Sequence, residues 1–129
     1  MSDTDRLFAD GLSFLVVEDD AMIAMMTEML LADAGAKDVG IAASVAEAMA
    51  LLDDNIYDVA IFDRQLGDGI SYSAAIRACH AGTVIIVATG SSHLDLPAEL
   101  AEAVPLSKPF EATKLERAVA MALSKRRRG

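Results

Sequence analysis

Acidic side chains end two short apolar runs of this sequence. Residues 59–62 are continuously apolar and stop at Asp63, whereas residues 14–17 stop at Glu18 and Asp19. An unbroken apolar run of this length is typical of a strand buried on both faces of a parallel sheet. Because open α/β sheets bind ligands beyond the carboxyl ends of their strands, the three carboxylates are candidates for one shared site.

The all-oxygen character of this set predicts a metal ion. Neighbouring carboxylates repel one another strongly unless a cation neutralises them. Ligands that are all oxygen favour a hard divalent ion, and Mg²⁺ is the candidate. We expect Asp63, Asp19 and the backbone carbonyl of Gln65 to supply ligand oxygens, with Glu18 acting directly or through water.

Asp63 is also a candidate nucleophile that accepts a phosphoryl group. Carboxylates form covalent phosphoryl intermediates, and a metal ion would offset the charge of the incoming group and align it. Two polar residues follow later apolar runs, Thr89 after residues 84–87 and Lys108 after residues 104–106. Lys108 would pair as a point charge with one phosphoryl oxygen, and the Thr89 hydroxyl would donate to another.

Helical patterns alternate with the apolar runs that predict strands. The first helix is predicted over residues 21–34, with Asp20 as its N-cap and Gly35 as its stop. Further helices are predicted from the capping box of Ser44 and Glu47 to Leu52, over residues 73–81, as a short helix with Pro97 in its first turn, and over the apolar stripe at residues 115–122. Five strand–helix units in alternation predict a doubly wound parallel sheet with helices on both faces.

The length of the chain predicts one domain with flanking segments. Residues 1–12 are expected to be a loose lead-in, residues 13–124 the compact domain, and residues 125–129 a basic tail. The tail is expected to be a frayed, solvated helix end, and its cations suit the dipole at a helix C-terminus.

The composition excludes several classes of protein. Of 129 residues, 53% are hydrophobic and 24% charged, which is typical of a globular chain rather than a disordered one. No apolar run approaches the ~20 residues of a membrane-spanning helix, and the polar N-terminus is unlike a secretory signal. Cys79 is the single cysteine, so an internal disulfide is excluded and a cytoplasmic protein is expected. A net charge of −9 argues against nucleic acid as the main partner.

The first helix is unusually apolar and carries two rows of large side chains. One row is Ile23, Met26 and Leu30, and its neighbour is Met22, Met25 and Met29. We expect one row to face the sheet. The methionine row is then either part of a wide buried face or an exposed docking surface, since methionine adapts to varied partners.

The motifs together resemble the receiver domain of two-component response regulators, over roughly residues 13–124. The resemblance is carried by VVEDD at 16–20, FDRQLGDG at 62–69, ATG at 88–90 and KPF at 108–110. It implies a flavodoxin-like (βα)5 fold with the strand order 2-1-3-4-5. It also implies phosphoryl transfer to Asp63 from a histidine kinase or a histidine phosphotransfer protein, a requirement for Mg²⁺, and a cis Lys108–Pro109 bond.

The sequence departs from the usual receiver pattern near its end. Pro105 stands where an aromatic switch residue is usual, so a ring that swings inward on phosphorylation is not expected. The run VATGSS at 87–92, with Tyr72, resembles the solitary FAT GUY receivers of alphaproteobacteria, although the Phe and Tyr of that signature are missing. That resemblance implies a role in general stress signalling, with switching dependent on Thr89, Gly90 and residues 91–95.

Several interpretations of function remain open at this point. A receiver without an output domain acts by protein contact or as a phosphate sink, and the sequence does not indicate an oligomeric state. An aspartyl-phosphate phosphohydrolase would need a second carboxylate two residues after Asp63, where Gln65 stands. A docking module that is never phosphorylated would not need the acidic pair, Thr89 and Lys108. We therefore interpret the chain as a signalling switch and not as an enzyme.

Overall fold

The computed structural model describes residues 8–66, 69–70, 72–90 and 95–128. Five strands form one sheet: β1 (Ser13–Val17), β2 (Asp38–Ala42), β3 (Val59–Asp63), β4 (Val84–Thr89) and β5 (Val104–Ser107). The α-helices in these ranges are α1 (Ala21–Asp33), α2 (Val45–Asp54), α3 (Tyr72–His80) and α4 (Ala112–Arg128). All neighbouring strands are parallel in the order β2-β1-β3-β4-β5, which confirms the predicted five-stranded, flavodoxin-like sheet.

Two connections differ from the predicted alternation. After β3 the chain forms an antiparallel pair of two-residue strands, Gln65–Leu66 and Gly69–Ile70, where a loop is predicted. Between β4 and β5 the regular structure within the described residues is a single 3-10 turn, Ala98–Leu100, in place of a helix. Pro97 has no N–H with which to continue a helical ladder, and β5 begins at Val104, so only one turn fits between them.

The hydrophobic core lies on both faces of the sheet. Alternate strand residues point to opposite faces, which separates the core into two layers. One layer packs against α1 and α4 and is formed by Phe14, Val16, Val59, Ile61, Ile86, Leu31, Leu115 and Val119. The other packs against α2 and α3 and is formed by Leu15, Val17, Ala60, Phe62, Val87, Ala48, Ala74, Ala75 and Ala78. The three inner strands, β1, β3 and β4, are therefore buried on both sides, as their unbroken apolar runs predict.

Residues 8–12 are not the loose lead-in that we expect from the sequence. Ala9 is fully buried, and its N–H donates to the carbonyl of Ala34 at 3.0 Å. The N–H of Lys37 donates to the carbonyl of Leu12 at 2.8 Å. This segment packs against the end of α1 because its small and apolar side chains close the core at that point.

The predicted basic tail is a continuation of α4, which extends to Arg128. Lys125 lies with its Nζ atom 3.5 Å from a carboxylate oxygen of Glu102, and a guanidinium nitrogen of Arg126 lies 3.6 Å from a carboxylate oxygen of Asp58. The basic residues are therefore part of the helix, and two of them form ion pairs with acidic residues of the compact domain. Residue 129 lies outside the described residues.

Helix α1 begins and ends where the sequence predicts, within one residue. The Asp20 carboxylate accepts hydrogen bonds from the N–H groups of Met22 at 2.9 Å and Ile23 at 3.1 Å, which makes it the N-cap. Gly35 follows the C-cap Ala34 with a φ of 95°, a left-handed conformation that favours glycine.

The row predicted to face the sheet does so only in part, since Ile23 is half-buried and Leu30 packs against the core, whereas a different row is fully buried. The buried row is Ala24, Thr27 and Leu31, whereas Met26 of the expected inward row is 44% exposed. The small side chains of Ala24 and Thr27 allow close approach to the sheet, and the Thr27 hydroxyl donates to the Ile23 carbonyl at 2.8 Å. The methionine row is the exposed one, with Met22 at 81%, Met25 at 60% and Met29 at 59%.

A polar clamp joins the amino ends of β1 and β3. One carboxylate oxygen of Asp58 accepts from the Ser13 N–H at 2.9 Å and from the Ser13 hydroxyl at 3.1 Å. The Ser13 hydroxyl in turn accepts from the Asp58 N–H at 3.0 Å. The Ser13 N–H, together with the Ser13 hydroxyl and the charge of Arg126, holds the pKa of Asp58 below its ordinary value.

We expect Asp58→Ala to destabilise the protein by about 1–2 kcal/mol at pH 7, because it leaves the Ser13 donors without their partner. Since the pKa of Asp58 is lower in the folded state than in the unfolded chain, its contribution is present above about pH 4 and is lost as pH falls through the lowered value. Urea unfolding of both proteins from pH 7 to pH 3 measures this difference.

The matched control is Asp54→Ala, at the exposed C-terminal end of α2. We expect its effect to stay within about 0.5 kcal/mol. A difference between wild type and Asp58→Ala that does not narrow at low pH would contradict the role given to the charge.

Candidate functional site

The predicted site residues meet at the carboxyl edge of the sheet. Asp63 and Thr89 are the last residues of β3 and β4, and Glu18 and Lys108 directly follow β1 and β5. Main-chain hydrogen bonds continue past the strand ends and fix two of these positions. The Glu18 N–H donates to the Ala42 carbonyl at 2.9 Å, and the Lys108 N–H donates to the Thr89 carbonyl at 2.9 Å.

Three carboxylates of this edge form a set that could hold a metal ion. Glu18, Asp19 and Asp63 each offer an oxygen, and these oxygens lie within 4.8 Å of one another. Glu18 and Asp63 are buried, whereas Asp19 is exposed, so one side of the set is open to water. A hard cation that keeps several water ligands, such as Mg²⁺, fits this arrangement of donors.

The fourth predicted ligand is the backbone carbonyl of Gln65. Gln65 begins the short strand Gln65–Leu66, two residues after Asp63. The chain is held close to the sheet here, because the Arg64 N–H donates to the Ala88 carbonyl at 2.9 Å. The Gln65 carbonyl as a metal ligand stays a prediction.

Lys108 occupies the space between the two buried carboxylates. Its Nζ atom lies 3.0 Å from a carboxylate oxygen of Asp63 and 3.2 Å from one of Glu18. The side chain of Lys108 is 22% exposed, so the pairs are largely withdrawn from solvent. One cation thereby offsets part of the repulsion between two carboxylates, in the place where a metal ion would do the same.

The start of α1 also holds Glu18, which the sequence analysis does not predict. The Asp20 N–H donates to the second carboxylate oxygen of Glu18 at 3.2 Å. Asp20 therefore has two roles, since its side chain caps α1 while its backbone N–H orients the neighbouring acid. Three consecutive acidic residues, Glu18 to Asp20, are the only sequence signal for this arrangement.

The ionisable groups of the site shift one another's pKa values. Burial, the hydrogen bond with Asp63 and the Asp63 charge raise the pKa of Glu18 to about 7. Burial lowers the pKa of Lys108, but the hydrogen bond and charge of Asp63 and the charge of Glu18 outweigh it, so its pKa is raised. Without a metal ion, Lys108 is therefore charged and Glu18 is a weak acid.

We expect the metal-free protein to lose stability as pH rises from about 4.5 to about 7, relative to Glu18→Gln. The folded protein holds the Glu18 proton more tightly than the unfolded chain in this window, so raising the pH favours unfolding. Urea unfolding of both proteins in chelator, from pH 5 to pH 8, measures this. Parallel pH profiles for the two proteins would contradict the assignment.

Thr89 and Pro105 lie on neighbouring strands with different exposure. Thr89 is buried at the end of β4. Pro105 is exposed on β5, which is the edge strand of the sheet, and it pairs in register with Val87. An edge strand accepts proline, because the missing N–H need not serve a further strand. The Lys108–Pro109 peptide bond is cis, as the receiver resemblance implies.

The exposed methionine row reaches this site through a groove. The groove lies between α1 and β2, has a volume of about 250 Å³, and is lined in part by Glu18, Asp19, Met25, Glu28 and Ile41. Of the methionine row, Met25 lines this groove, which also contains Glu18 and Asp19 of the three carboxylates. Within the described residues, no helix has the length and apolar character needed to cross a membrane.

Comparison with known proteins agrees with this architecture. The family model of the response regulator receiver domain matches residues 14–120. SdrG from Sphingomonas melonis Fr1 is 32% identical, with 88% of this chain and 97% of that chain covered and a TM-score of 0.75. A CheY-like receiver domain protein from Methanospirillum hungatei JF-1 is 25% identical, with 92% and 98% covered and a TM-score of 0.79. Among curated proteins, none matches the chain.

Proposed function

Since the chain belongs to the response regulator receiver domain family, we propose that it is a phosphorylation switch whose phosphoacceptor is Asp63. The observation that carries this proposal is the position of Asp63, buried at the end of β3 among Glu18, Asp19 and Lys108. The donor is a phosphorylated histidine of a kinase or of a phosphotransfer protein.

In the proposed reaction an oxygen of Asp63 attacks the phosphorus atom. The bond between phosphorus and the donor histidine nitrogen breaks, and its electron pair stays on that nitrogen. Lys108 then pairs with a phosphoryl oxygen, and the Thr89 hydroxyl donates to another. Mg²⁺, held by Glu18, Asp19, Asp63 and the Gln65 carbonyl, would supply positive charge for the transferred group.

Lys108 is in place for this reaction before the phosphoryl group arrives. Its Nζ atom is already 3.0 Å from Asp63, so a phosphoryl group on Asp63 would find a cation within reach. The ammonium group could turn from Glu18 to the phosphoryl oxygen, since Glu18 would then serve as a ligand of Mg²⁺. The chain's own residues thereby provide both the nucleophile and a charge partner for the product.

We place the contact with the donor protein on the methionine row of α1. Met22, Met25 and Met29 are exposed on one face, and Met25 lines a groove together with Glu18 and Asp19. An exposed apolar patch of this kind is typical of a protein interaction site. The proposed output is protein contact or the draining of phosphoryl groups from a shared kinase. A general stress context is supported by the VATGSS resemblance.

The test of the donor surface is phosphoryl transfer from a histidine-phosphorylated phosphotransfer domain. We expect Met25→Glu to slow transfer by at least tenfold, since it places a further negative charge in the contact, beside Glu18 and Asp19. Phosphorylation by a small donor such as acetyl phosphate should be unchanged, because that donor needs no docking.

The matched control is Met121→Glu, which alters a methionine of α4 that is 53% exposed. We expect transfer to this variant at the wild-type rate. An equal loss in Met25→Glu and Met121→Glu, or a loss with acetyl phosphate as well, would contradict the α1 docking site.

A phosphate sink and an adaptor differ in their effect on the phosphorylation of a second receiver that shares the kinase. We expect wild type to lower the phosphorylation of a competing receiver in a shared kinase reaction, whereas Asp63→Asn should not. If both proteins lower it equally, the effect comes from occupation of the kinase, and the sink role is excluded.

A further inference from the structure

The chain between β4 and β5 is held mainly by side chains of other elements. We call residues 95–103 the crossover segment. Its carbonyls accept hydrogen bonds from the Tyr72 hydroxyl to Asp95 at 3.1 Å, from the Cys79 thiol to Glu99 at 3.7 Å, and from the Lys125 ammonium to Glu102 at 3.3 Å. Because the segment has one 3-10 turn of its own, these external bonds decide where it lies.

One face of α3 forms the surface on which the crossover segment rests. Tyr72, Ile76 and Cys79 have the i, i+4, i+7 spacing of a single helical face and are partly buried in the same cluster as Leu96 and Leu100. Helix α3 itself is anchored, since Ala74, Ala75 and Ala78 are fully buried against the sheet. Leu100 and Ala103 anchor the later part of the segment in the same core cluster, whereas Asp95 at its start is exposed and accepts the hydrogen bond of the Tyr72 hydroxyl.

Tyr72 stands where two connections from the candidate site come together. It is the first residue of α3, at the end of the connection that leaves Asp63. Its hydrogen-bond acceptor, Asp95, lies on the connection that leaves Thr89. A displacement of Thr89 towards Asp63 would be passed along this connection to the bond between Tyr72 and Asp95.

Strand β5, the other neighbour of β4, has little freedom to move. Pro105 is exposed on β5, and its ring is closed onto the backbone, so it has no side chain that can turn inward. Strand β5 is paired with β4 in register from Val104 to Ser107. A displacement of Thr89 can thus be passed on towards Asp95 without breaking the sheet, whereas β5 offers no such path.

We propose that the Tyr72 hydroxyl is a latch that ties the crossover segment to α3 while Asp63 is unmodified, and that phosphorylation of Asp63 opens it. This inference rests on the proposed function, because the opening follows when Thr89 moves to donate to a phosphoryl oxygen. Tyr72 is a positioning residue here, since it touches neither Asp63 nor the incoming group in the proposed reaction.

Hydrogen exchange at three amides tests the latch. The N–H groups of Leu100, Ala101 and Ala103 donate to carbonyls of the crossover segment itself, at 2.9, 3.2 and 3.0 Å. In the unmodified protein we expect Tyr72→Phe to speed their exchange about fivefold, the effect of losing one hydrogen bond that restrains local opening. The amides of β3 exchange only on global unfolding. Their exchange rates in Tyr72→Phe should therefore change no more than the global stability of the variant accounts for.

The matched control is Tyr57→Phe, which removes the hydroxyl of the other tyrosine. Tyr57 is buried, and its hydroxyl lies against Gly40, away from the crossover segment. We expect the three amides to exchange at the wild-type rate in this variant. Equal exchange rates in wild type and Tyr72→Phe would overturn the latch.

The second half of the experiment repeats the measurement after treatment with acetyl phosphate and Mg²⁺, with the adduct counted by intact mass. We expect at least threefold faster exchange of the three amides in phosphorylated wild type and no further change in phosphorylated Tyr72→Phe. The same increase in both proteins would overturn the coupling through Tyr72. Absence of an adduct, even from a cognate histidine-phosphorylated donor, would overturn the acceptor role and the coupling that rests on it, whereas the unmodified variants would still decide the latch.

Discussion

Asp63→Asn is expected to abolish phosphorylation of the protein by both small donors and histidine-phosphorylated partners. The amide that replaces the carboxylate is a poor nucleophile, and it also removes one negative charge from the proposed metal site. The loss should be complete within the detection limit of intact mass spectrometry. Glu18 and Asp19 follow β1, so Asp63 is the carboxylate of the described site that stands at the end of β3.

The matched control for this result is Asp54→Asn, which removes one exposed carboxylate far from the strand ends. It should carry the adduct at the wild-type level. Folding of Asp63→Asn is checked by urea unfolding, since a neutral side chain here relieves repulsion and should not destabilise the chain. A folded Asp63→Asn protein that still takes up one phosphoryl group would show that the acceptor lies elsewhere.

Lys108→Met is expected to destabilise the metal-free protein by about 3 kcal/mol, because it leaves Glu18 and Asp63 buried without their cation. Mg²⁺ should then restore much of this loss, since an ion that binds the folded state stabilises it by mass action. The measurement is urea unfolding of both proteins in chelator and in millimolar Mg²⁺. We expect Mg²⁺ to stabilise Lys108→Met more than wild type.

The control for this prediction is Lys37→Met, which removes an exposed cation between α1 and β2. Its stability should change by less than about 0.5 kcal/mol, and its response to Mg²⁺ should equal that of wild type. Two outcomes would contradict the prediction that Lys108 and Mg²⁺ both neutralise Glu18 and Asp63. One is a Lys108→Met protein as stable as wild type in chelator, and the other is equal stabilisation of both proteins by Mg²⁺.

The strand ends could be predicted because their signals are local. An apolar run that stops at Glu18, Asp63, Thr89 or Lys108 marks both a buried strand and its carboxyl end, and the alternation of strands with helices predicts one parallel sheet. The meeting of these four residues at one edge follows from that topology alone. Their chemical roles remain predictions that the experiments above address.

Features that depend on contacts between distant residues could not be predicted in this way. On α1 nearly every position is apolar, so the pattern does not tell that the small row of Ala24 and Thr27 faces the sheet. The clamp between Ser13 and Asp58 joins residues 45 positions apart, and neither residue type marks it in the sequence. The packing of residues 8–12 depends likewise on where α1 happens to end.

The connection between β4 and β5 shows a further limit. Pro97 indicates the start of a short helix, but its length depends on where β5 begins and on what α3 offers to the segment. The bond from Tyr72 to Asp95 spans 23 positions and has no local signature. The part of the fold next to the candidate site is therefore the part that local patterns describe least.

The most direct test of the account is the intact mass of the protein after incubation with acetyl phosphate, with and without Mg²⁺, followed by peptide mapping. We predict one phosphoryl adduct that requires Mg²⁺ and maps to the peptide containing Asp63. An adduct on another residue, or none even from a cognate histidine-phosphorylated donor, would contradict it and would leave a receiver domain that serves as a docking module.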